Sequence, residues 1–370
     1  MSLPGSAVAD AVRPDSIAEV VDVLRHTRPA SVLPRGAGTK LDWGAVGAPI
    51  EVDLDLRGLA GIVEYNPGDL VVRAMAGTPL DMVQADLAEH GQFLALDPPE
   101  AGATLGGIVA AGASGPRRHR YGTARDLLIG VAAVLADGTV ARAGGKVVKN
   151  VAGYDLMKIY TGSFGTLGVI VETTWRLHPR PPDRRVVTFA GHDGALVRRL
   201  MHSALTPTAV EALGEALVVV FEGLTPAVRA QADAAARLGE GVVTTTVPAG
   251  FGVRPWLPDG IGLKIAYEIT GLDVVLAALR RLPGTRVVGR VGVGVLEAGL
   301  PAIDRDQLDR LRAVVARVGG TVVVLAAPEE TKRRLDVWGP VGDALPLMRR
   351  VKDQFDPEHR LAPGRFVGGI

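Results

Sequence analysis

The chain has 370 residues, 47% of them hydrophobic, a net charge of +1 at pH 7 and no cysteine. This length suits two domains, and a charge so close to zero excludes a global field that would recruit nucleic acid. The lack of thiols excludes disulfides, zinc–cysteine sites and iron–sulfur ligation. Because aromatic residues make up only 4%, the core must be aliphatic, which suits an α/β or α+β fold.

The N-terminal part of the chain alternates predicted helices with short strands. Ser16 and Glu19 have the spacing of a capping box, which predicts a helix over 16–28. Asp137-Gly138 predicts the turn of a hairpin that spans 127–140. The other predicted elements are strands over 30–33, 50–56, 70–76 and 168–177, a helix over 78–90 ended by Gly91, and a short helix over 154–160.

A stiff Pro-rich segment, 178–182, predicts the end of a first domain at residue 180. Beyond it we predict a cap domain over 181–330, in which two strand–helix–strand units share one mixed sheet with helices on one face, resembling a ferredoxin-like fold. The last segment, 331–370, should pack back on the first domain. The predicted cap strands are 186–189, 217–221, 242–246, 263–269, 285–295 and 321–325, and its helices are 194–204, 226–238, 273–281 and 305–318.

Three glycine-rich loops stand out in the first domain, and none has the P-loop or the G-x-G-x-x-G spacing. In loop 35–40, glycines allow successive backbone N–H groups to bind phosphate and Lys40 adds charge, although an ordinary turn is the alternative. Segment 104–115 has only small side chains over much of its length, so it suits a flat ligand or a tightly packed helix start. With loop 162–168, the three favour a long ligand that has a diphosphate and flat rings.

The order of these motifs resembles the FAD-binding domain of the vanillyl-alcohol oxidase / p-cresol methylhydroxylase (PCMH) type over about residues 10–180, and the closing Phe355-Asp356-Pro357 and Pro363-Gly364-Arg365 resemble its tail. The resemblance implies an α+β fold, with a two-subdomain PCMH-type FAD-binding domain followed by a ferredoxin-like cap. The motifs that carry it are Arg35-Gly36-x-Gly38-Thr39, Pro98-Pro99, Thr104-x-Gly106-Gly107, Arg120-Tyr121-Gly122, Asp137-Gly138, Gly153-Tyr154-Asp155-Leu156 and Gly165-Thr166-Leu167-Gly168-Val169-Ile170.

The resemblance also implies which residues touch FAD. Arg35, Gly36, Ala37, Gly38, Thr39 and Lys40 would wrap the diphosphate; Thr104, Gly106 and Gly107 would touch the diphosphate or ribityl chain; Ala113, Ser114 and Gly115 would approach the isoalloxazine; and Gly165, Thr166 and the Ile170 backbone would lie along the cofactor and its adenosine end. Pro98 and Gly122 complete the expected cofactor-binding set. Loop 34–40 has no histidine and the chain no cysteine, so we expect non-covalent FAD.

Within this superfamily, Gly115-Pro116-Arg117-Arg118 and the run 145–156 are most similar to the smaller flavin subunit, the E subunit, of bacterial glycolate oxidase. The resemblance implies a larger FAD-containing catalytic subunit, an iron–sulfur subunit and a small 2-hydroxy acid as partners. A free-standing FAD oxidoreductase acting on an alcohol or 2-hydroxy acid is the first alternative. A non-catalytic assembly subunit with a flavin site is the second.

No catalytic residue is assigned from the sequence. The seven histidines are isolated, so we expect no metal site. Four arginines at positions 117, 118, 120 and 125 could bind a carboxylate, FAD phosphates or an acidic partner, or form a solvated basic turn. With no signal-peptide pattern and no apolar run of about 18 residues, we expect a cytoplasmic chain that could associate peripherally with the inner face of the plasma membrane through partners.

Overall fold

The structure is a computed structural model that describes residues 10–145 and 155–370. Its contacts divide the chain into two compact units. The first unit takes in the described residues up to Ser114, from Thr123 to Arg180 and from Pro340 to Ile370. The second takes in Gly115–Gly122 and Pro181–Gly339. A short arginine-rich segment inside the predicted first domain therefore belongs to the second unit.

The described strands are β1 Asp10–Val12, β2 Val32–Arg35, β3 Val52–Asp55, β4 Ile62–Asn66, β5 Val71–Met75, β6 Gln92–Phe93, β7 Leu128–Val134, β8 Val140–Gly144, β9 Val169–Arg176, β10 His178–Pro179, β11 Asp183–Phe189, β12 Ala209–Leu213, β13 Ala216–Gly223, β14 Val242–Thr244, β15 Ile261–Ala266, β16 Arg286–Arg290, β17 Val295–Leu300 and β18 Thr321–Ala326. The described helices are α1 Ile17–His26, α2 Leu80–Ala88, α3 Leu105–Ala111, α4 Arg118–Tyr121, α5 Ala124–Leu127, α6 Gly194–Met201, α7 Thr225–Ala236, α8 Leu272–Leu279, α9 Arg305–Ala316, α10 Glu329–Arg334 and α11 Leu345–Phe355.

The first unit contains a parallel sheet in the order β1-β3-β2 and an antiparallel sheet in the order β4-β5-β9-β7-β8. The predicted hairpin turn at Asp137-Gly138 is confirmed: Gly138 has a φ of +83° and Thr139 N donates to Asp137 Oδ1 at 2.8 Å. Helix α1 begins where predicted, since the Ser16 hydroxyl accepts from Glu19 N at 3.2 Å. Its Val20 and Leu24 are fully buried in a core that both sheets share.

Strand β2 ends at Arg35, two residues later than predicted, so the chain leaves the parallel sheet directly into the first glycine loop. The predicted helix over 154–160 is a 3₁₀ turn over Leu156–Tyr160, and Tyr154 lies outside the described residues. Most of the 145–156 motif lies outside them as well. These shifts leave the order of the predicted N-terminal elements intact.

The second unit contains one eight-stranded sheet in the order β14-β11-β13-β12-β16-β17-β15-β18. Each half runs strand–helix–strand–strand–helix–strand along the chain, with α6 and α7 in the first half and α8 and α9 in the second. Every pairing in this sheet among the described strands is antiparallel. The prediction of a mixed sheet is therefore wrong.

The error in the cap comes from two elements. Strand β12 carries Glu211 fully buried among apolar residues, so its sequence lacks the pattern of a buried strand. The predicted strand 285–295 is a hairpin of β16 and β17, whose turn Gly294 adopts a φ of +64°. Because neither β12 nor the β16–β17 hairpin was predicted, the sequence did not show that neighbouring strands of the cap sheet run antiparallel.

The C-terminal tail belongs to the first unit from Pro340 onward, whereas residues 331–339, which were predicted with it, belong to the second unit. Lys352 on α11 is fully buried, and its ammonium donates to Thr166 O at 2.8 Å, Leu361 O at 3.1 Å and Asp356 Oδ2 at 2.6 Å. Arg360 NH1 donates to Leu24 O and Ala136 O at 2.7 and 3.2 Å. The tail is thus fixed to the first unit by buried charge-assisted hydrogen bonds.

Candidate functional site

The three glycine-rich segments meet in the first unit around two adjoining clefts. One, of about 400 Å³, is lined by Pro34, Arg35, Gly36, Leu56, Ala76, Thr104, Gly106, Gly107, Ala110, Phe164, Gly165, Gly168 and Ile170. The other, of about 470 Å³, is lined by residues 34–41, Thr104, Gly107, Ala110, Ala111, Phe164 and Arg365. Because the two clefts share residues from all three segments, they form one continuous lining, here called the glycine cleft.

The glycine cleft depends on backbone approaches that allow no side chain. A Cβ at Gly36 would lie 2.0 Å from Thr104 Oγ1, and one at Gly106 would lie 2.8 Å from Ala76 Cβ. Phe164 and Gly165 have positive φ angles of 56° and 79°, which is unusual for the phenylalanine. Such a conformation in a non-glycine residue is typical of ligand-binding loops. The glycines therefore shape this surface and are not incidental turns.

The first loop presents backbone donors to the glycine cleft. Within the described part of the chain, the N–H groups of residues 36–39 take part in no backbone hydrogen bond, whereas Leu41 N already donates to Gly38 O at 3.2 Å. Gly38 has a φ of +74°, which allows neighbouring N–H groups to converge on one anion. Gly36, Gly38 and Thr39 are half-buried and Ala37 is exposed, so a ligand can reach these donors. The diphosphate of FAD supplies acceptor oxygens for them, so the residues present fit the predicted cofactor.

The charged residues of this loop are less available than the sequence suggests. The Arg35 guanidinium pairs with Asp53 at 2.7 Å and with Asp55 at 3.3 Å. The Lys40 ammonium lies 3.3 Å from Glu100 and donates to Thr39 Oγ1 at 3.0 Å. Both side chains are therefore largely neutralised inside the protein, and their contribution to the cleft comes mainly from the backbone.

Several predicted cofactor-binding residues do not line the glycine cleft. Thr166 is buried, and its hydroxyl donates to Ser163 O at 2.7 Å. Ala113 and Ser114 are buried, Pro98 is half-buried, and Gly115 and Gly122 belong to the second unit. Their assignment to FAD stays a prediction. The residues that sequence reasoning missed include Pro34, Ala110, Phe164 and Arg365. All four lie in or beside segments already singled out, but none of them was assigned to the cofactor.

The arginine cluster belongs to the second unit. Arg117 NH2 lies 2.9 Å from Glu222 Oε1, and Arg120 NH1 donates to the Glu222 backbone carbonyl at 2.9 Å. Glu222 is buried on β13. Arg117 therefore pairs with a carboxylate of the chain itself and Arg120 with a backbone carbonyl, a combination that was not among the options left open from the sequence.

His119 packs next to them on α4. A Cβ at Gly292 would lie 2.7 Å from His119 Nδ1, so glycine is required there. Burial lowers the pKa of His119 below its usual value. Its ring is therefore held neutral inside the second unit and does not line the glycine cleft.

A second group of charges, here called the Lys264 cluster, lies on the sheet of the second unit. Glu297 is buried, Arg290 NH1 lies 2.9 Å from its Oε2, and Arg254 bonds its Oε1. Burial alone would raise the pKa of Glu297, but Arg290 and Arg254 outweigh burial and hold that pKa at about 2. The carboxylate is thus fully ionised and already has two cations.

Lys264 adds a third cation to this group. It is the Cα partner of Glu297 across the β15–β17 pairing and is half-buried. Burial, and next the nearby Arg118, lower the pKa of Lys264 to about 8. No hydrogen bond or ion pair within the described residues engages its ammonium. Lys264 therefore adds an ammonium that no described side chain pairs with, which suits a small anion.

Among the described residues, no group of three or more histidine, aspartate or glutamate side chains could hold a metal ion. No helix in residues 10–145 or 155–370 has the length and apolar character needed to cross a membrane.

Comparison with known proteins defines the class. The family described as FAD binding domain matches residues 9–144, which include the first two of the three glycine-rich segments. The chain is 32% identical over 426 aligned residues to the uncharacterized FAD-linked oxidoreductase MT2338 of Mycobacterium tuberculosis, covering 99% of this chain and 92% of that protein. The chain belongs to this family of FAD-linked oxidoreductases, with a PCMH-type FAD-binding domain and FAD as cofactor.

Other relatives match over shorter stretches. Glycolate oxidase subunit GlcE of Escherichia coli is 47% identical over 130 residues, 35% of this chain and 37% of that subunit. Glycolate oxidase subunit GlcD of Bacillus subtilis is 31% identical over 227 residues, 60% of this chain and 48% of that subunit. The chain thus matches less than half the length of either. Alkyldihydroxyacetonephosphate synthase shares the fold, with a TM-score of 0.69 at 15% identity over 95% of this chain and 75% of that one.

Proposed function

We propose that this chain is the FAD-binding subunit of a glycolate oxidase type complex that oxidises a 2-hydroxy acid to a 2-oxo acid. The glycine cleft supports the cofactor part, because its backbone donors fit a diphosphate. The match to GlcE, 47% identical over 130 residues, supports the subunit role. Relatives named as D-2-hydroxyglutarate and D-lactate dehydrogenases support the substrate class.

The observation that carries the substrate class is the Lys264 cluster. A 2-hydroxy acid has a carboxylate, and a half-buried ammonium without a partner among the described residues would bind it in a charge-assisted hydrogen bond. Arg254 and Arg290 keep Glu297 from competing for Lys264, since both already pair with that carboxylate. Bound FAD would supply the two-electron acceptor. This chain's residues would bind and orient the acid.

Anaerobic flavin reduction tests the proposal. The FAD-loaded chain, alone and with proteins that co-purify from native cells, is mixed with glycolate, D-lactate and D-2-hydroxyglutarate. Propane-1,2-diol, which has the hydroxyl but no carboxylate, is the matched control. We expect bleaching of the flavin by at least one acid and none by the diol. Bleaching by the diol alone, or by no acid in either preparation, would refute the substrate class.

The same experiment decides between the subunit and the free-standing alternative. Reduction only in the presence of a co-purifying larger flavoprotein supports the subunit role, whereas full turnover by the lone chain with a dye acceptor supports a free-standing oxidoreductase. We also propose that FAD is held non-covalently. Denaturation and filtration should then release all of the yellow colour, and colour retained with the protein would contradict this.

A further inference from the structure

Arg365 occupies an unusual position in the first unit. It comes from the C-terminal tail, is 6% exposed and lines the glycine cleft beside residues 36–40 of the first loop. Burying a guanidinium costs several kcal/mol unless other groups compensate for the lost water. The sequence makes room for it even so, because a Cβ at Gly47 would lie 2.7 Å from Arg365 Cγ.

The hydrogen bonds of Arg365 use only part of its guanidinium. NH2 donates to the carbonyl oxygens of Leu41 and Trp43 at 2.7 and 2.9 Å. These two bonds fix the chain just beyond the first loop, and Ala45 N donates back to Arg365 O at 3.1 Å. Carbonyl acceptors leave the full positive charge in place. Nε and NH1 make no hydrogen bond among the described residues.

Arg365 differs in this from the other two cations that line the same cleft. Arg35 has Asp53 and Asp55 as partners, and Lys40 has Glu100. No carboxylate in residues 10–145 or 155–370 lies within 4.0 Å of the Arg365 guanidinium nitrogens. Burial lowers the pKa of Arg365 to about 10, which still leaves it protonated at neutral pH. Among the described residues no ion pair neutralises this guanidinium, although the nearby Asp42 carboxylate opposes part of the effect of burial on its pKa.

We infer that Arg365 is a ligand of the FAD diphosphate, so that the C-terminal tail completes the cofactor site. A guanidinium and a phosphate form short, paired hydrogen bonds, and the diphosphate charge offsets the cost of burying the arginine. The inference rests on the proposed position of the diphosphate in the glycine cleft. It assigns Arg365 two contacts: loop carbonyls through NH2, and phosphate oxygens through the remaining N–H groups.

FAD titration of the apo-protein at low and high salt tests this. The variants are Arg365→Gln, which removes the charge, Arg365→Lys, which keeps it, and Arg349→Gln. Arg349 is the control, because it is an exposed tail arginine outside the cleft lining whose bond is to Gly368 O at 3.3 Å. We expect Arg365→Gln to weaken FAD binding at least tenfold at about 50 mM salt, Arg365→Lys to weaken it less, and Arg349→Gln to change it less than twofold.

The salt dependence of FAD binding distinguishes an arginine that binds phosphate from one that only holds the loop in place. An ion pair is screened, so the ratio of the Arg365→Gln Kd to the wild-type Kd should shrink toward about 0.5 M salt. A ratio above tenfold that salt does not change would overturn the inference, as would unaltered binding by Arg365→Gln. If Arg365→Gln does not fold, the same salt comparison is made between Arg365→Lys and wild type. If these two proteins bind FAD equally at every salt concentration and their Kd values do not depend on salt, the inference is also overturned. Failure of wild type to bind FAD would instead refute the proposed cofactor site.

Discussion

Replacing Gly36 by alanine tests whether the two glycine loops must touch. The new Cβ would lie 2.0 Å from Thr104 Oγ1 and 3.0 Å from Thr104 Cβ. The loops must therefore separate by more than about 1 Å to restore van der Waals contact. Thr104 cannot simply rotate away without cost, because its hydroxyl caps α3 by accepting from Gly107 N at 3.4 Å.

We expect this overpacking to cost about 1–3 kcal/mol of unfolding free energy. For a domain of roughly 200 residues that corresponds to a fall of about 2–12 °C in Tm. FAD affinity should fall as well, because the donors at 36–39 move relative to Thr104. Differential scanning calorimetry and FAD titration measure the two effects. Gly68→Ala is the matched control, since a Cβ there meets only Asn66 Oδ1 at 3.5 Å.

A double variant tests whether the contact between the new Cβ at position 36 and Thr104 causes the loss of stability. Removing the hydroxyl with Thr104→Ala costs the cap, about 0.5–2 kcal/mol, but it also removes the atom nearest the new Cβ. The combined Gly36→Ala and Thr104→Ala loss should therefore be smaller than the sum of the single losses. Strictly additive losses, or a Gly36→Ala protein as stable as Gly68→Ala, would show that the two loops do not clash.

Three further outcomes follow from the charges. Glu222→Gln should cost about 1–3 kcal/mol in urea unfolding, since Arg117 loses its carboxylate. Lys352→Met should cost about 3–5 kcal/mol, because it leaves Asp356 buried without its cation. With a Lys264 pKa of about 8, binding of a 2-hydroxy acid should weaken up to about tenfold from pH 7 to pH 9 as the ammonium loses its proton.

Each of these has a control. Arg280→Gln removes an exposed arginine whose partner Glu215 is 86% exposed, so it should change stability far less than Glu222→Gln. Adding Asp356→Asn to Lys352→Met should recover stability, and no recovery would refute the unpaired-charge account. Lys264→Met should abolish the pH dependence of acid binding while FAD binding stays unchanged. A dependence that survives Lys264→Met would exclude Lys264 as its source.

The sequence revealed the parts of the site that depend on local backbone chemistry. Loop 35–40, Thr104 and segment 165–170 could be singled out because glycine has few reasons to recur at such spacing except turns and close approaches. The structure brings them together around one cleft. The hairpin at Asp137-Gly138 was predictable for the same reason: its turn chemistry lies in two adjacent residues.

What the sequence could not reveal depends on pairing between distant residues. The partner of Arg117 is Glu222, more than a hundred residues later, and nothing local distinguishes that glutamate. The Lys264–Glu297 juxtaposition requires the strand register of β15 and β17. The mixed-sheet prediction was wrong for the same reason: the position of β12 depends on its pairing with β13 and β16, which the sequence does not show.

On the proposed assignments the two units bind anions in different ways, and the chemistry of the ligands explains why. In the glycine cleft the cations at 35 and 40 are paired, so most donors come from the backbone and Arg365 adds a single charge. This suits a large dinucleotide, whose diphosphate is fixed by many weak contacts. In the Lys264 cluster the charge without an ion-pair partner among the described residues is one ammonium with a shifted pKa. This suits a small carboxylate, which offers little surface and must be held by charge. Changes to the glycines should therefore act on FAD affinity at any pH, whereas changes at Lys264 should act on the acid alone and only while that lysine is protonated.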